Sequence, residues 1–209
     1  MPCSARELNR KPDLSLADIR RKEIYRYLRL EDHAPDAATK DDVERNLLRL
    51  IEKISLRLIA SIRPILRTDD QLCFGDFSTQ SVMLRKNMKT SDYAVLFAMT
   101  LGADVDRLIS RLLITSKADA FITDACATEC LESYANRYAA QIAADAGNRG
   151  FSTHPRFSPG FADFGLEHQW PLIRTLQADK KIHIALTDGN MLVPTKTITA
   201  LIGLDGRNR

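Results

Sequence analysis

The sequence lacks the features that would assign it to a membrane, to nucleic acid or to a common catalytic class. No stretch approaches the roughly 20 apolar residues of a transmembrane helix, and the polar N-terminus has no signal-peptide core. Lysine plus arginine (30) exceed aspartate plus glutamate (27) only slightly, and the interspersed signs indicate no basic face for nucleic acid. A P-loop, a Rossmann glycine fingerprint, a nucleophile elbow and a zinc signature are all missing. We therefore expect a cytoplasmic protein with neither a membrane nor a nucleic-acid partner.

Cysteine is scarce, with four residues in 209. Without an export signal these cysteines are expected to be reduced thiols rather than a disulfide framework. Cys126 and Cys130 are four apart on a predicted helix and could share a metal site, but no Cys or His elsewhere has the spacing to complete one. We expect both to be small, half-buried packing residues.

The length and the 44% apolar content suffice for one globular domain, or for one domain with a helical extension. Residues 1–13 are polar and predict a mobile or docking tail. Ser15 to Asp18 has the spacing of a helix start, and this first helix is expected to end near the break at 32–35. An apolar stripe from Val43 to Ile62 predicts a second, long helix that runs to Pro64. The region 1–67 is thus predicted to be helical, either as a separate lobe or packed on the body.

The remainder, 68–209, has the pattern of an α+β body. Short strands are expected around Gly75, a buried strand in the apolar run Tyr93–Thr100, and a loop between Gly150 and about Gly165. The strands should pair mostly antiparallel because helices are grouped before and between them. The other predicted elements are helices at 104–113, 119–146 and 166–176, strands at 182–186, 191–193 and 197–202, and a turn at 188–190.

Three short segments follow one another in the C-terminal third: Arg-Phe-Ser-Pro-Gly-Phe at 156–161, Leu-Thr-Asp at 186–188, and Met-Leu-Val-Pro-Thr-Lys at 191–196. In this order and spacing they resemble the reactivation domain of cobalamin-dependent methionine synthase, which binds S-adenosylmethionine. The resemblance is clearest from Tyr93 to Leu204. It implies an activation-domain-like α+β fold, with N-terminal helices and a mostly antiparallel twisted sheet packed with helices, made as a separate protein.

The resemblance also implies a cofactor site at the Pro-Gly turn. Arg156 would hold the carboxylate of S-adenosylmethionine, because a guanidinium presents paired donors that match a carboxylate. Ser158, Pro159 and Gly160 would supply backbone contacts, and Phe161 would form one wall. From the residues alone, Arg156 could instead tie its loop to a neighbouring aspartate.

Two acidic residues join the same candidate site by resemblance. Glu132 would face the cofactor's amino group and favour the positive sulfonium, and Asp188 would be a pocket acid. The alternatives are a solvated helix charge, like the neighbouring Glu129, and a simple turn-former.

The sequence departs from the family at Phe161, where tyrosine is usual. The phenylalanine ring can still line the pocket, but it cannot donate the hydrogen bond of a phenol hydroxyl. Loss of one such hydrogen bond weakens binding about threefold to tenfold. Residues 162–165, Ala-Asp-Phe-Gly, also replace a segment that commonly carries glycine and proline in stand-alone relatives.

Three further residues border the candidate site without a clear role. His154 and His168 bracket the turn and could contact a ligand or a partner, although solvated histidines are more common at such positions. Lys196 matches a lysine of stand-alone relatives and is expected to be a surface lysine.

The resemblance implies a stand-alone reactivation subunit in methionine biosynthesis. Cobalamin would be carried by the partner, a methionine synthase or another corrinoid protein, and a flavodoxin-like protein would donate the electron. The subunit would then support methyl transfer from S-adenosylmethionine without a general base. The alternatives are a non-enzymatic docking module that has lost the cofactor, and a protein that binds S-adenosylmethionine with no cobalamin partner.

Overall fold

An antiparallel sheet with helices on both faces forms the body of the molecule. The computed structural model describes residues 1–30 and 34–206. Its helices are α1 (Ala5–Leu8), α2 (Arg21–Tyr27), α3 (Ala37–Ile51), α4 (Val82–Asn87), α5 (Ala103–Thr115), α6 (Lys117–Gly147), α7 (Gln169–Leu176) and α8 (Ala178–Ile182). Its strands are β1 (Arg57–Pro64), β2 (Leu66–Arg67), β3 (Leu72–Cys73), β4 (Ser78–Thr79), β5 (Tyr93–Thr100), β6 (Phe151–Thr153), β7 (Ala185–Leu186), β8 (Leu192–Val193) and β9 (Thr197–Gly206).

The main sheet has four strands in the order β1-β5-β9-β6, and every neighbouring pair is antiparallel. The strands β2, β3 and β4 form a second small sheet, and β7 pairs with β8 in a hairpin. The predicted α+β class with mostly antiparallel pairing is confirmed.

Strand β5 divides the interior into two cores because its side chains alternate between the sheet faces. Val95, Phe97 and Met99 pack in one hydrophobic cluster, together with residues of α2, α3, α5 and α6. Leu96 and Ala98 pack in the other, together with residues of α4, α7 and α8. A strand buried on both faces needs a continuous apolar run, which is the pattern that predicted it.

The N-terminal residues dock on the body. Cys3 and Leu8 are buried, and the Tyr138 hydroxyl on α6 donates a hydrogen bond of 2.8 Å to the Leu8 carbonyl. The Asn9 side chain accepts from the Ala60 amide of β1 at 3.0 Å. Of the two expectations for residues 1–13, a mobile or a docking tail, the structure shows docking.

The prediction of one long helix to Pro64 is wrong. Helix α3 ends at Ile51, and residues 57–64 form β1, which pairs with β5 from Arg57↔Thr100 to Pro64↔Tyr93. Leu58 and Ile62 are four apart, as on a helix, but the buried Leu58 and Ala60 also alternate with less buried neighbours, as in a strand. Pairing with the buried strand β5 made this segment a strand rather than a helix. The main sheet therefore extends across the predicted boundary at residue 67.

Most of the other predicted elements are confirmed, with changed limits. The first predicted helix is a 3₁₀ turn, Leu16–Asp18, followed by α2, and α2 ends at Tyr27. The predicted helix end near 32–35 lies partly on residues 31–33, outside the described residues. Of the strand predicted at 182–186, only Ala185–Leu186 is a strand (β7) and Ile182 ends α8, while the predicted loop after Gly150 begins with β6. Within 1–30 and 34–206, no helix is both long and apolar enough to cross a membrane.

Candidate functional site

One face of α6 carries a row of three polar side chains, Asp124, Thr128 and Glu132. They are four residues apart, so they lie above one another at intervals of about 6 Å along the helix. We call them the α6 row. Each member is bound by a cation that comes from another element.

Arg156 binds the far end of the row, where its Nη2 donates to the Glu132 carboxylate. The loop that carries Arg156 is fastened to β9, because the backbone of Phe157 exchanges two hydrogen bonds of 2.8 Å with Leu201. The side chains of Arg156 and Glu132 keep 21% and 31% of their exposure. The two residues predicted for the ends of an amino acid thus lie together and remain within reach of solvent.

Lys196 binds the near end of the row. Its Nζ lies 2.8 Å from the Asp124 carboxylate and donates to the Thr128 hydroxyl at 2.9 Å. With only 12% of its side chain exposed, it is not the surface lysine expected from the sequence. In the sequence, these partners could have been suggested by the polar residues at positions 124 and 128, which are four apart on α6.

The Ser158–Phe161 turn is built around its own hydrogen bonds. The Gly160 amide donates to the Phe164 carbonyl at 2.7 Å, and the Phe161 amide donates to the Ser158 carbonyl at 3.2 Å. Gly160 has φ +90°, a backbone conformation that favours glycine, and a Cβ there would also displace the Leu166 side chain, which it would meet at 2.9 Å. The Gly160 amide and the Ser158 carbonyl, which were expected to approach a ligand, are therefore already used within the turn.

Phe161 projects from this turn with 61% of its surface exposed. Its ring stands edge-on to the buried Phe157, at a centroid distance of 5.3 Å. Pro159 is half-buried beside it. An exposed aromatic face held in a fixed position can stack on a flat ligand.

Asp163 fastens the turn to α4. Its carboxylate accepts from the Ser81 hydroxyl at 2.6 Å and from the amides of Val82 and Met83 at 2.6 and 3.2 Å. The Ser81 hydrogen bond, followed by those amides, lowers the Asp163 pKa. The segment at 162–165 thus holds the turn in place.

Helix α2 brings two residues to the same side of α6. Burial raises the pKa of Tyr27, and the nearby Glu132 carboxylate raises it further. At the other end of α2, Arg20 Nε donates to Glu129 at 3.0 Å, and Glu129 is fully buried. Glu129 is therefore not the solvated charge expected from the sequence.

Asp188 lies apart from this group in the described contacts. It is exposed in the turn of the β7–β8 hairpin, and no described hydrogen bond or ion pair joins it to Arg156. His154 binds Asp205 at 2.8 Å, and His168 lies against the Phe164 ring at 4.3 Å. The two histidines are therefore used within the fold.

The arrangement is suited to an amino-acid zwitterion. Arg156 can exchange its present partner for a ligand carboxylate, and Glu132 can exchange its own for an ammonium. The charge of Asp124 is already offset by Lys196, and Tyr27 is a hydroxyl near Glu132 that sequence patterns did not reveal.

No family model matches the sequence, and no curated protein matches it. Among solved structures, it is similar to the crystal structure of the MetH reactivation domain bound to AdoHcy, with a TM-score of 0.67 and 12% identity. The match covers 89% of this chain and 74% of that one. The fold predicted from the three C-terminal segments is thus confirmed, and the chain has the fold of the MetH reactivation domain.

Proposed function

We propose that the chain binds S-adenosylmethionine at the end of the α6 row, with Arg156 on its carboxylate and Glu132 on its amine. The observation that carries the proposal is the ion pair between these two side chains, which lie 24 residues apart in sequence and on different elements. The solved structure with the same fold is bound to AdoHcy, which has the same amino-acid end.

The donor set fits this ligand. A zwitterion that enters between Arg156 and Glu132 replaces one ion pair with two, so no charge is left without a partner. Opening the existing pair costs little because partly exposed pairs contribute only about 0–1 kcal/mol. The site can therefore be satisfied with or without its ligand.

The remaining residues orient the ligand. Phe161 offers an exposed ring for the adenine, and Ser158, Pro159 and Gly160 shape the turn beneath it. Once Arg156 binds the ligand carboxylate, the Glu132 carboxylate favours a positive sulfonium over its neutral demethylated product. Asp188 belongs to this site only if the β7–β8 hairpin closes over the ligand.

The proposed role is that of a stand-alone reactivation subunit for a cobalamin-dependent methionine synthase or a related corrinoid methyltransferase. When bound, S-adenosylmethionine supplies the methyl group for the corrinoid of the partner, which a flavodoxin-like donor has reduced. This chain's residues capture the donor, orient it and keep its methyl group accessible. That role needs no general base.

The alternative is a docking module for a corrinoid protein that has lost cofactor binding. Two observations favour it: the amides of Gly160 and Phe161 are used inside the turn, and Phe161 lacks the phenol hydroxyl. In that case the Arg156–Glu132 pair only fastens the loop to α6.

Calorimetric titration with S-adenosylmethionine and S-adenosylhomocysteine separates the two functions. We expect saturable binding that weakens about 10- to 100-fold in Arg156→Ala, because a charge-assisted hydrogen bond contributes about 1.5–3 kcal/mol. Arg111→Ala, an exposed arginine on α5, is the matched control and should bind like wild type. Equal affinity of Arg156→Ala and wild type would remove the proposed site.

A second measurement tests the partner. A purified corrinoid-binding domain loaded with hydroxocobalamin is captured on the immobilised chain, with and without S-adenosylmethionine. Capture that depends on the cofactor supports the reactivation role. Capture of equal strength without it, in a chain that shows no calorimetric binding, supports the docking module.

A further inference from the structure

A second pocket lies beside α4 and the small sheet of β2 and β3. Its volume is about 420 Å³, within the range of small-molecule sites. None of its lining residues belongs to the α6 row or to the Ser158–Phe161 turn. It is therefore independent of the function proposed above.

Every charged residue that lines this pocket is a cation. Arg67 comes from β2, Arg85 and Lys86 come from α4, and Lys89 follows that helix. Within 1–30 and 34–206, no ion pair involves Arg85, Lys86 or Lys89, and both lysines are exposed. Three cationic residues thus line one cavity without a carboxylate partner in the described part of the chain.

The end of α4 does not account for these charges. Cations often gather at a helix C-terminus to bind its last carbonyls. Here Arg67 already donates to the Met88 carbonyl at 2.6 Å and also to the Ser91 carbonyl, and Arg85 donates to the Asp69 carbonyl at 2.6 Å. Lys86 and Lys89 remain directed to no backbone group in the described contacts.

Apart from Thr68, the rest of the pocket is apolar. Leu72 is 1% exposed at its wall, and Val82 stands at its surface with 66% exposure. The aliphatic stems of lysine and arginine extend such a wall while their heads stay in water. An apolar recess with cationic heads matches a ligand that has an apolar body and one anionic group.

We propose that this pocket is a binding site for a small soluble organic anion, with its apolar body against Leu72 and Val82 and its phosphate, sulfonate or carboxylate between Lys86 and Lys89. Two partly exposed ion contacts contribute about 0.2–1 kcal/mol each. Their combined loss corresponds to a weakening of about two- to thirtyfold.

Two fluorescent probes of matched shape test the site. 8-Anilinonaphthalene-1-sulfonate carries an apolar body and an anion, whereas N-phenyl-1-naphthylamine has the same rings without the sulfonate. We expect saturable binding of the anionic probe that weakens about tenfold in K86Q/K89Q and falls with added salt. The neutral probe should bind more weakly and should not respond to the substitutions.

Two further variants fix the location. K180Q/K181Q removes the same charge from exposed lysines on α8 and should leave binding unchanged. Val82→Glu places a carboxylate at the exposed apolar edge and should weaken the anionic probe further, with an unchanged thermal midpoint. Equal binding of the anionic probe to wild type, K86Q/K89Q and Val82→Glu would overturn the proposal.

Vesicles distinguish a soluble anion from a lipid head group. Wild type and K86Q/K89Q are sedimented with phosphatidylcholine vesicles that contain phosphatidylglycerol. No sedimentation is expected. Lysine-dependent sedimentation, in a chain that does not bind the soluble probe, would overturn the proposal in favour of a lipid surface.

Discussion

Two arginine–glutamate pairs lie one turn apart on α6, and they differ in burial. Glu129 is completely buried and accepts from Arg20 Nε at 3.0 Å, from Arg20 Nη2 at 3.3 Å and from the Ser133 hydroxyl at 2.7 Å. Glu132 accepts from Arg156 alone among the described contacts and keeps 31% of its side chain exposed. A buried carboxylate must be fully satisfied inside the fold, whereas a half-exposed one can change partner.

This difference in burial distinguishes an ion pair that stabilises the fold from one that can bind a ligand, although both pairs consist of arginine and glutamate. The Arg20–Glu129 pair joins the N-terminal region to the body, so breaking it should affect stability. The Arg156–Glu132 pair is open to solvent, so breaking it should affect binding. Four experiments test this separation.

The largest effect is expected from Arg20→Ala. The substitution leaves Glu129 buried without its cation, which costs about 3 kcal/mol or somewhat less because Arg20 is half exposed. For a chain of this length, that lowers the thermal midpoint by about 6–12 °C. Calorimetric melting measures it, and Arg156→Ala is the matched control, with an expected change below about 1 kcal/mol. Equal losses in the two variants would contradict the comparison.

Lys196→Met should have an intermediate effect. It removes the Nζ contacts with Asp124 and Thr128 but keeps the stem that fills the space. We expect a loss of about 1.5 kcal/mol in the free energy of unfolding, measured by urea denaturation. Lys180→Met, on an exposed lysine, is the control. A loss no larger than that of the control would show that Lys196 is an ordinary surface charge.

Phe161→Tyr sharpens the binding side of the comparison. The exposed ring accepts a hydroxyl without repacking, and a new hydrogen bond to the ligand tightens S-adenosylmethionine binding about threefold to tenfold. Calorimetric titration measures the gain, and the thermal midpoint should not change. The same hydroxyl added to the buried Phe164 should instead destabilise the fold. Unchanged affinity in Phe161→Tyr would place the ring outside the ligand site.

The smallest effect concerns a third pair, Glu7 with Arg149, at the surface. The Ser4 amide, followed by Arg149, lowers the pKa of Glu7 from 4.5 to about 2. Because the folded pKa is depressed, its contribution is fully present above about pH 4.5 and is lost as the pH falls toward about 2. Glu7→Gln should therefore be slightly less stable than wild type at pH 7, and the two should converge near pH 2. A difference that grows on acidification would contradict this assignment.

Local sequence patterns were enough to predict strand β5 and helix α6. The apolar run at 93–100 became β5 with the predicted limits, and the predicted helix at 119–146 became α6 with only two residues added at its start and one at its end. Strand β1 was predicted as helix because Leu58 and Ile62 fit both periods. The partner that decided it, β5, begins 29 residues after β1 ends and could not be identified from the local pattern.

The candidate site was predictable only in part. The resemblance named Arg156 and Glu132, and the structure brings them together. It did not predict the contacts of Lys196 with α6 or the capping of α4 by Asp163, because these contacts join elements 68 or more residues apart. Asp188 remains a proposal that depends on the hairpin.

The sequence by itself determined which segments are strands or helices where the apolar pattern has a single period, and its resemblance named Arg156 and Glu132 as candidate partners. Only the tertiary structure decided which glutamate of α6 is buried and which is open. Glu129 and Glu132 have the same chemistry and lie on the same helix. Their difference comes from α2, which covers one of them with Arg20 from 109 residues away.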